Sequence, residues 1–295
     1  MGGDRRQGAN TVRGAGSPAG LGPAIAVLRA ALFPFSLFLG GLGVVLAVIS
    51  GNPPVQAAPA LLARGYLPVL DKGQAQTVAC QPAGRESYDA IWVNPPPTDR
   101  PAEAHADLNL SLRGYQPTND YRGLVAYNGN SDGGAPQLPG LFADNRTATF
   151  RAVYRVYNWD WTCNCRGSLV GEWPVTLTGL AVTPGETIYV PESGYTIGSG
   201  YEVLVLYAST DRITLKYTRE DNVVYGYTLQ VENVCIDPTL LSLYQSWNSD
   251  GRGSLPALRG GQAIGRARGS ELGVAIRDSG SFMDPRSRND WWRGR

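Results

Sequence analysis

The spacing of apolar residues predicts a β-hairpin in the C-terminal half of the chain. Residues 212–218 alternate between polar and apolar side chains, polar turn residues follow at 220–222, and the chain returns through 223–232. A period of two places successive side chains on opposite faces of a strand. Residues 201–208, just before the hairpin, are almost wholly apolar, which is typical of a strand covered on both faces.

Shorter segments with the same period, or with the composition of a strand, predict further strands. They are residues 90–93, 106–113, 124–127, 147–161, 174–182, 187–190, 263–265 and 272–276. One segment has helical spacing instead, with apolar side chains three or four residues apart between Leu240 and Trp247. Asp237 is placed to cap this helix, and Pro238 suits its first position.

These elements predict a mainly β fold. The C-terminal domain is expected to be an antiparallel β-sandwich or open barrel with one short helix, preceded by a small β region and an N-terminal hydrophobic helix. The predicted divisions are 1–57 for a signal peptide or membrane anchor, 58–101 for a Pro-rich linker with a short strand, 102–165 for the small β region, and 166–295 for the C-terminal domain. Whether 102–165 is a separate domain or extends the C-terminal sheet stays open.

The first 57 residues have the composition of a targeting segment. A Gly-rich leader with several arginines precedes residues 30–50, which carry no charge and are long enough to span a bilayer. Val55 and Ala57 then suit the small-residue pattern of a signal-peptidase cut. Cleavage near Ala57, an uncleaved anchor and a buried soluble helix are the alternatives. The first two place the body of the protein outside the cytoplasm, in an extracellular or cell-surface location.

Four cysteines agree with export, since an even number in an exported chain favours two disulfides. Cys163 and Cys165 are separated by one residue in a segment predicted to be extended, and we expect them to be poor partners for each other. We expect one of them to bond to Cys80 and the other to Cys235. A zinc site is the rival interpretation, which a single C-x-C supports only weakly.

Charge argues against a nucleic-acid partner. The first 57 residues hold four of the 26 basic and one of the 25 acidic side chains, so the remainder has a slight acidic excess and no basic field. The expected partners are a cell-wall polymer or an envelope protein. Contact with a membrane is expected only through the N-terminal segment.

The segment 258–285 carries a resemblance to a known family. Arg259-Gly260-Gly261-Gln262 predicts a tight turn, a short strand and a longer strand follow, and the segment ends in Asp284-Pro285. This order resembles the closing segment of M23 (lysostaphin-like) peptidases, where a GQ-IG turn precedes a strand H-x-H-F-E-I-R and a DP turn. Over roughly 173–284, the resemblance implies the M23 fold.

The same alignment places the two zinc-ligand histidines of the family on Glu271 and Gly273. The chain has one histidine, His105, far upstream. A hydrolytic zinc site of this kind needs several imidazole or carboxylate ligands, so the resemblance argues against peptidase activity and implies no catalytic residue, metal or cofactor. It implies instead a ligand-binding groove near the former metal centre. The expected groove residues are Tyr217, Tyr225, Tyr227, Glu271 and Gly273.

Three further motifs have alternative interpretations. Trp159 and Trp161 would fall on one side of an extended chain, either as an aromatic platform for sugar or peptide or as side chains packed in the core or against the disulfides. The Asn/Asp/Gly run 128–134 is a calcium loop or, since it lacks regular ligand spacing, a solvated turn. The tail 286–295 contains four arginines and two tryptophans. It is interpreted either as a segment that binds an acidic polymer or as a packed turn with solvated arginines.

We expect a non-catalytic binding or scaffolding module of the cell envelope, which holds cell-wall glycan or peptide or positions a partner hydrolase. A structural surface or filament subunit is the alternative. A carboxylate-dependent glycan hydrolase is the third possibility, because paired acids cleave glycosidic bonds without histidine. Acids available for that chemistry are Glu172, Glu202, Glu220, Asp221, Glu232 and Glu271.

Overall fold

Antiparallel strands are the main secondary structure in the part of the chain that the computed structural model describes, residues 80–295. The strands are β1 (Asp89–Trp92), β2 (Tyr115–Pro117), β3 (Phe150–Asp160), β4 (Cys165–Leu169), β5 (Leu177–Ala181), β6 (Thr187–Tyr189), β7 (Val203–Ala208), β8 (Arg212–Lys216), β9 (Tyr227–Glu232), β10 (Val234–Ile236), β11 (Ser254–Leu258), β12 (Ala263–Ala267), β13 (Glu271–Asp278) and β14 (Ser281–Phe282). The helices are α1 (Leu110–Arg113), α2 (Pro238–Ser249) and α3 (Arg288–Trp291). The predicted mainly β class is confirmed.

Eleven strands form one sheet, and three form a second. The main path of the large sheet runs β1-β11-β7-β8-β9-β13-β5-β3-β2, with β14 paired to β13 and β4 to β3. The small sheet runs β10-β12-β6. Apolar side chains of both sheets belong to one hydrophobic cluster. The two sheets are therefore held together by a shared core.

The local patterns behave as predicted in the central strands. Strands β8 and β9 form the expected antiparallel hairpin, although β9 begins at Tyr227 rather than at residue 223, and every residue of β7 is buried. Helix α2 begins where expected, because the Asp237 side chain accepts a hydrogen bond from the Thr239 N–H. Its buried residues, Leu240 and Tyr244, face β7 and β11. Burying a side chain such as Leu240 stabilises the fold by roughly 1.5–3 kcal/mol.

The strand predicted at 106–113 is wrong. This segment turns and then forms α1, which the Asn109 side chain caps by accepting a hydrogen bond from the Ser111 N–H. Leu108 and Leu110 are both buried, but they join different hydrophobic clusters rather than one face of a strand. The prediction failed because a local capping side chain outweighed the apolar alternation. Another predicted strand, 124–127, is reduced to a single bridge between Val125 and Ser287.

Strands from the predicted linker and from the small β region belong to the large sheet. Strand β1 lies within 58–101 and pairs with β11, while β2 and β3 lie within 102–165 and reach the C-terminal strands through β5. The boundary expected at 165 falls at the first residue of β4. Residues 102–165 therefore extend the C-terminal sheet.

The disulfide pairing differs from the prediction. Cys80 bonds to Cys235, and Cys163 bonds to Cys165, with Cα–Cα distances of 5.2 Å in both pairs. Cys163 does not lie in an extended strand. It belongs to the turn between β3 and β4, where Asn164 adopts a positive φ of 51°. The chain reverses there, and the two cysteine side chains meet on the same side.

The predicted signal peptide or anchor lies outside the described residues. Among residues 80–295, no helix combines the length and the apolar character needed to cross a membrane.

Candidate ligand-binding site

The loop between β8 and β9 contributes residues to two surface cavities. Its position is fixed by Asp221, whose buried carboxylate accepts hydrogen bonds from Arg252 Nε at 2.7 Å and Nη2 at 2.6 Å. The Thr98 N–H donates to the same carboxylate at 2.9 Å. At the loop tip, Tyr225 is 63% exposed beside the exposed Val224. A buried ion pair therefore holds a solvent-facing loop in place.

The first cavity, which we call the tyrosine cavity, has a volume of about 280 Å³. It is lined by Asp132, Tyr195, Tyr217, Thr218, Gly226, Tyr227 and Asp278. The hairpin supplies one wall directly after β8 and at the start of β9. Asp278 also lines the cavity, because the pairing of β13 with β9 places it opposite Tyr227. Asp132 and Tyr195 come from two loops distant in the sequence.

Asp132 connects these loops to the sheet. Its Oδ2 accepts hydrogen bonds from the hydroxyls of Tyr195 and Tyr227, both at 2.8 Å. Its Oδ1 accepts the Gly134 N–H at 2.7 Å. The two loops also touch through glycines, since a Cβ added to Gly194 would lie 2.7 Å from Gly134 Cα. The Gly194 N–H donates to the Gly134 carbonyl across this contact.

The protonation states in the tyrosine cavity are well defined. Burial opposes ionisation of Asp132, but hydrogen bonds from Gly134, Tyr227 and Tyr195 hold the pKa of Asp132 below its ordinary value. The pKa of Tyr227 is raised by burial and by its hydrogen bond to Asp132. The pKa of Tyr195 is raised mainly by its own bond to Asp132. At neutral pH the carboxylate is ionised and both phenols are donors.

The negative charge of this cavity is not balanced by an ion pair. Within residues 80–295, neither Asp132 nor Asp278 has a basic side chain within salt-bridge distance. Arg293 lies close, but it donates to the Asp132 backbone carbonyl at 3.3 Å. Lys216 donates to the Gly226 carbonyl, also at 3.3 Å. The cavity therefore combines phenol rings with two carboxylates that form no ion pair, although the charges of Arg293 and Lys216 act on Asp132 and Asp278 from a greater distance.

The structure separates the groove residues expected from the M23 resemblance. Tyr217 and Tyr227 lie in the tyrosine cavity, where the buried Tyr217 hydroxyl donates to the Pro191 carbonyl at 2.8 Å. Tyr225 is at the exposed loop tip. Gly273 pairs with Glu232 and Tyr227 with Asp278, so strand alternation puts Gly273 on the opposite face of the sheet from Tyr227. A single groove lined by all five predicted residues is not formed.

Glu271 and Gly273 contribute to a polar row on that opposite face. Glu271 accepts a hydrogen bond from the Tyr154 hydroxyl at 2.7 Å. Glu232, opposite Gly273, has its pKa raised to about 7 by burial, although Arg212 works against that shift. The carboxylates lie close to the sheet surface because the row contains glycine at 179 and 273, where a Cβ would clash with Glu271 and Glu232.

The second cavity, which we call the tryptophan cavity, has a volume of about 450 Å³. It is lined by Pro96, Pro97, Thr98, Asp99, Arg100, His105, Asp107, Trp161, Asp221, Asn222, Val223 and Val224. Trp161 is 42% exposed, and the Arg100 guanidinium carbon lies 4.7 Å from its ring centroid. Trp159 packs against Trp161 with centroids 6.4 Å apart. The predicted aromatic pair is brought together beside the β3–β4 turn.

The tail is packed against the tyrosine cavity. Trp291 and Trp292 are buried, and the Trp291 ring lies edge-on to Tyr227 with centroids 5.5 Å apart. Arg286 is buried in ion pairs with Asp284 and Asp120 at 2.7 and 2.6 Å. A packed turn is therefore present, but Arg286 is a buried structural residue rather than a solvated one.

Sequence reasoning missed Asp132, Tyr195 and Asp278. Asp132 lies in the run 128–134, which was interpreted as a calcium loop or a solvated turn. Among residues 80–295, no group of three or more His, Cys, Asp or Glu side chains is arranged to hold a metal ion. The carboxylate instead orders two tyrosines. A lone Asp in a Gly-rich loop gives no sequence signal for partners 63 and 95 residues away.

Comparison with models of known protein families gives no match to this chain, and comparison with curated proteins gives none either. The resemblance to M23 peptidases rests on short motifs and stays a prediction.

Proposed function

We propose that this protein is an exported, non-catalytic module of the cell envelope that binds a cell-wall polymer at the tyrosine cavity. The observation that carries the proposal is the combination of three phenol rings and two carboxylates without ion pairs around one small open space. Aromatic rings give a large contact area at low entropic cost, and the carboxylates fix orientation.

The position of the cavity supports a binding role. It lies beside the exposed loop tip at Val224 and Tyr225, where an extended polymer has access from solvent. The rigid support comes from the sheet and from the buried Asp221–Arg252 pair. A site on a rigid scaffold keeps its shape without a ligand, which lowers the cost of binding.

Two disulfides support export, because disulfides persist in oxidising compartments and are rare in the cytosol. The N-terminal targeting composition agrees with this location.

Co-sedimentation of the full-length protein with purified cell-wall sacculi tests the proposal. We expect saturable binding that Tyr195→Ala weakens roughly tenfold, since this ring is 46% exposed and lines the cavity. Tyr121→Ala is the matched control, because Tyr121 is an exposed tyrosine that does not line the cavity. Equal loss in both variants, or none in either, would contradict the cavity assignment.

Two other outcomes decide against the proposal as a whole. Soluble fragments released from the sacculi would favour the carboxylate-dependent hydrolase. No binding, together with self-association in sedimentation velocity, would favour the structural subunit.

A further inference from the structure

We propose that the tyrosine cavity binds a protonated primary amine, such as the free side-chain ammonium of a diamino acid in a cell-wall peptide. This inference rests on the proposed function for the source of the ligand and on the cavity itself for its chemistry. Phenol rings and carboxylates are the side chains with which proteins bind ammonium groups.

The charge of the cavity favours an ammonium group over an uncharged sugar as the ligand. The hydroxyls of Tyr195 and Tyr227 already donate to Asp132, so they are not available as donors to a sugar. The Tyr217 hydroxyl donates to Pro191. Among the lining hydroxyls, that of Thr218 is left without a hydrogen-bond partner. The cavity is therefore rich in negatively charged acceptors and has one free hydroxyl. An ammonium group brings three donors and one positive charge, which complements these acceptors.

Asp278 is the carboxylate best placed to meet the amine. One of its oxygens accepts the Ser279 hydroxyl at 3.0 Å, which orients the side chain without neutralising it. Asp132 has three donors already and acts mainly through its charge. Asp278 also ends β13, next to Tyr227 in the register, so its backbone is held by the sheet.

Size excludes a whole polymer repeat as the ligand of this cavity, and ligand number excludes a calcium ion. A volume of about 280 Å³ lies at or below the lower end of small-molecule pockets and suits one side-chain-sized group rather than a polymer repeat. Divalent calcium requires six to eight oxygen ligands. The two carboxylates of this cavity do not approach that number.

The test uses the full-length protein with two probes. One is sacculi before and after acetylation of their free amines, and the other is Nα-acetyl-lysine methylamide, with Nα-acetyl-norleucine methylamide as the uncharged comparison. We expect acetylation to weaken sacculus binding at least fivefold, and we expect the lysine amide, but not the norleucine amide, to bind in a calorimetric titration.

Asp278→Asn is the diagnostic variant, because asparagine keeps the shape and the acceptor for Ser279 while it removes the charge. It should weaken binding of the lysine amide roughly tenfold. Asp250→Asn is the matched control, since Asp250 is an exposed carboxylate outside the cavity, and it should leave binding unchanged.

The failures of the two proposals are distinguishable. Sacculi that bind equally well before and after acetylation would overturn the amine inference and leave the wall-binding proposal intact. Binding of the lysine amide without any binding to sacculi would overturn the proposed function and support the amine site. Equal titration curves for the lysine and norleucine amides would overturn the amine inference directly.

Discussion

The two cavities beside the β8–β9 loop use carboxylates in opposite ways. In the tryptophan cavity, all three carboxylates are paired with arginine: Asp99 with Arg100, Asp107 with Arg113 and Arg277, and Asp221 with Arg252. In the tyrosine cavity, Asp132 and Asp278 have no such partner among the described residues, and Asp132 is held by phenol hydroxyls.

The carboxylates of the tryptophan cavity are neutralised inside the protein, whereas those of the tyrosine cavity are available to a ligand. A carboxylate paired with arginine has its charge satisfied inside the protein, and breaking a buried pair leaves an uncompensated ion. A carboxylate held by neutral donors forms no ion pair inside the protein, so its charge can be met by a ligand. We therefore assign the tryptophan cavity to stability and the tyrosine cavity to binding, although the tryptophan cavity is the larger.

The largest expected loss of stability follows from breaking the buried ion pair between Asp221 and Arg252 in the tryptophan cavity. Asp221→Asn leaves Arg252 charged and without its partner in a site where its side chain is 7% exposed. We expect a loss of about 3–5 kcal/mol in the free energy of unfolding, measured by urea denaturation. Asp99→Asn is the control, because its pair is exposed to solvent and should be worth under about 1 kcal/mol. Similar losses in both variants would contradict the structural role of Asp221.

The second effect concerns the disulfide beside Trp161. Replacing both Cys163 and Cys165 by serine removes a very short closed loop, so the loop-entropy model predicts a loss of only about 1–2 kcal/mol in the free energy of unfolding. The pair Cys80–Cys235 spans 155 residues, and its removal should cost roughly 2–5 kcal/mol. If the tryptophan cavity is structural, the Cys163/Cys165 variant should bind sacculi as the wild type does.

Acid pH gives a third effect, on the tyrosine cavity. The depressed pKa of Asp132 means that its ionised form persists below the ordinary carboxyl value of about 3.9, so its contribution is present at neutral pH and is lost as the pH falls through the lowered value. The nearby Arg293 and Lys216 stay protonated throughout the acid range. In calorimetric titrations, the affinity of the protein for the lysine amide should be constant between about pH 5 and 7 and should fall below about pH 4. A midpoint near pH 6 would contradict the assignment.

The smallest expected effect on stability is that of Asp278→Asn. The carboxylate is partly exposed, and asparagine retains the hydrogen bond from Ser279. The free energy of unfolding should change by less than about 0.5 kcal/mol, measured by thermal and urea denaturation. A loss of several kcal/mol would show that Asp278 is structural, as the carboxylates of the tryptophan cavity are.

Local signals in the sequence predicted much of the fold. The hairpin of β8 and β9 and the start of α2 at Asp237 depend on neighbouring residues, and both are confirmed. The segment 106–113 was predicted wrongly because the Asn109 cap is as local as the leucine alternation and opposes it. The disulfides were paired wrongly because the turn at Asn164 was taken for extended chain.

The candidate site was only partly predictable. Tyr217 and Tyr227 were expected near a binding groove, and both line the tyrosine cavity. Glu271 and Gly273 were expected beside them, but their positions in β13 place them on the other face of the sheet. Asp132 completes the cavity through contacts between distant loops, and neither periodicity nor composition indicates which loops meet.

Sacculus binding by Tyr195→Ala and Trp161→Ala, compared in one experiment on the full-length protein, tests the central claim most directly. Each substitution removes one partly exposed aromatic ring from one cavity. The account predicts a roughly tenfold loss of binding for Tyr195→Ala and less than a twofold change for Trp161→Ala. The reverse order, with binding lost in Trp161→Ala and retained in Tyr195→Ala, would contradict it.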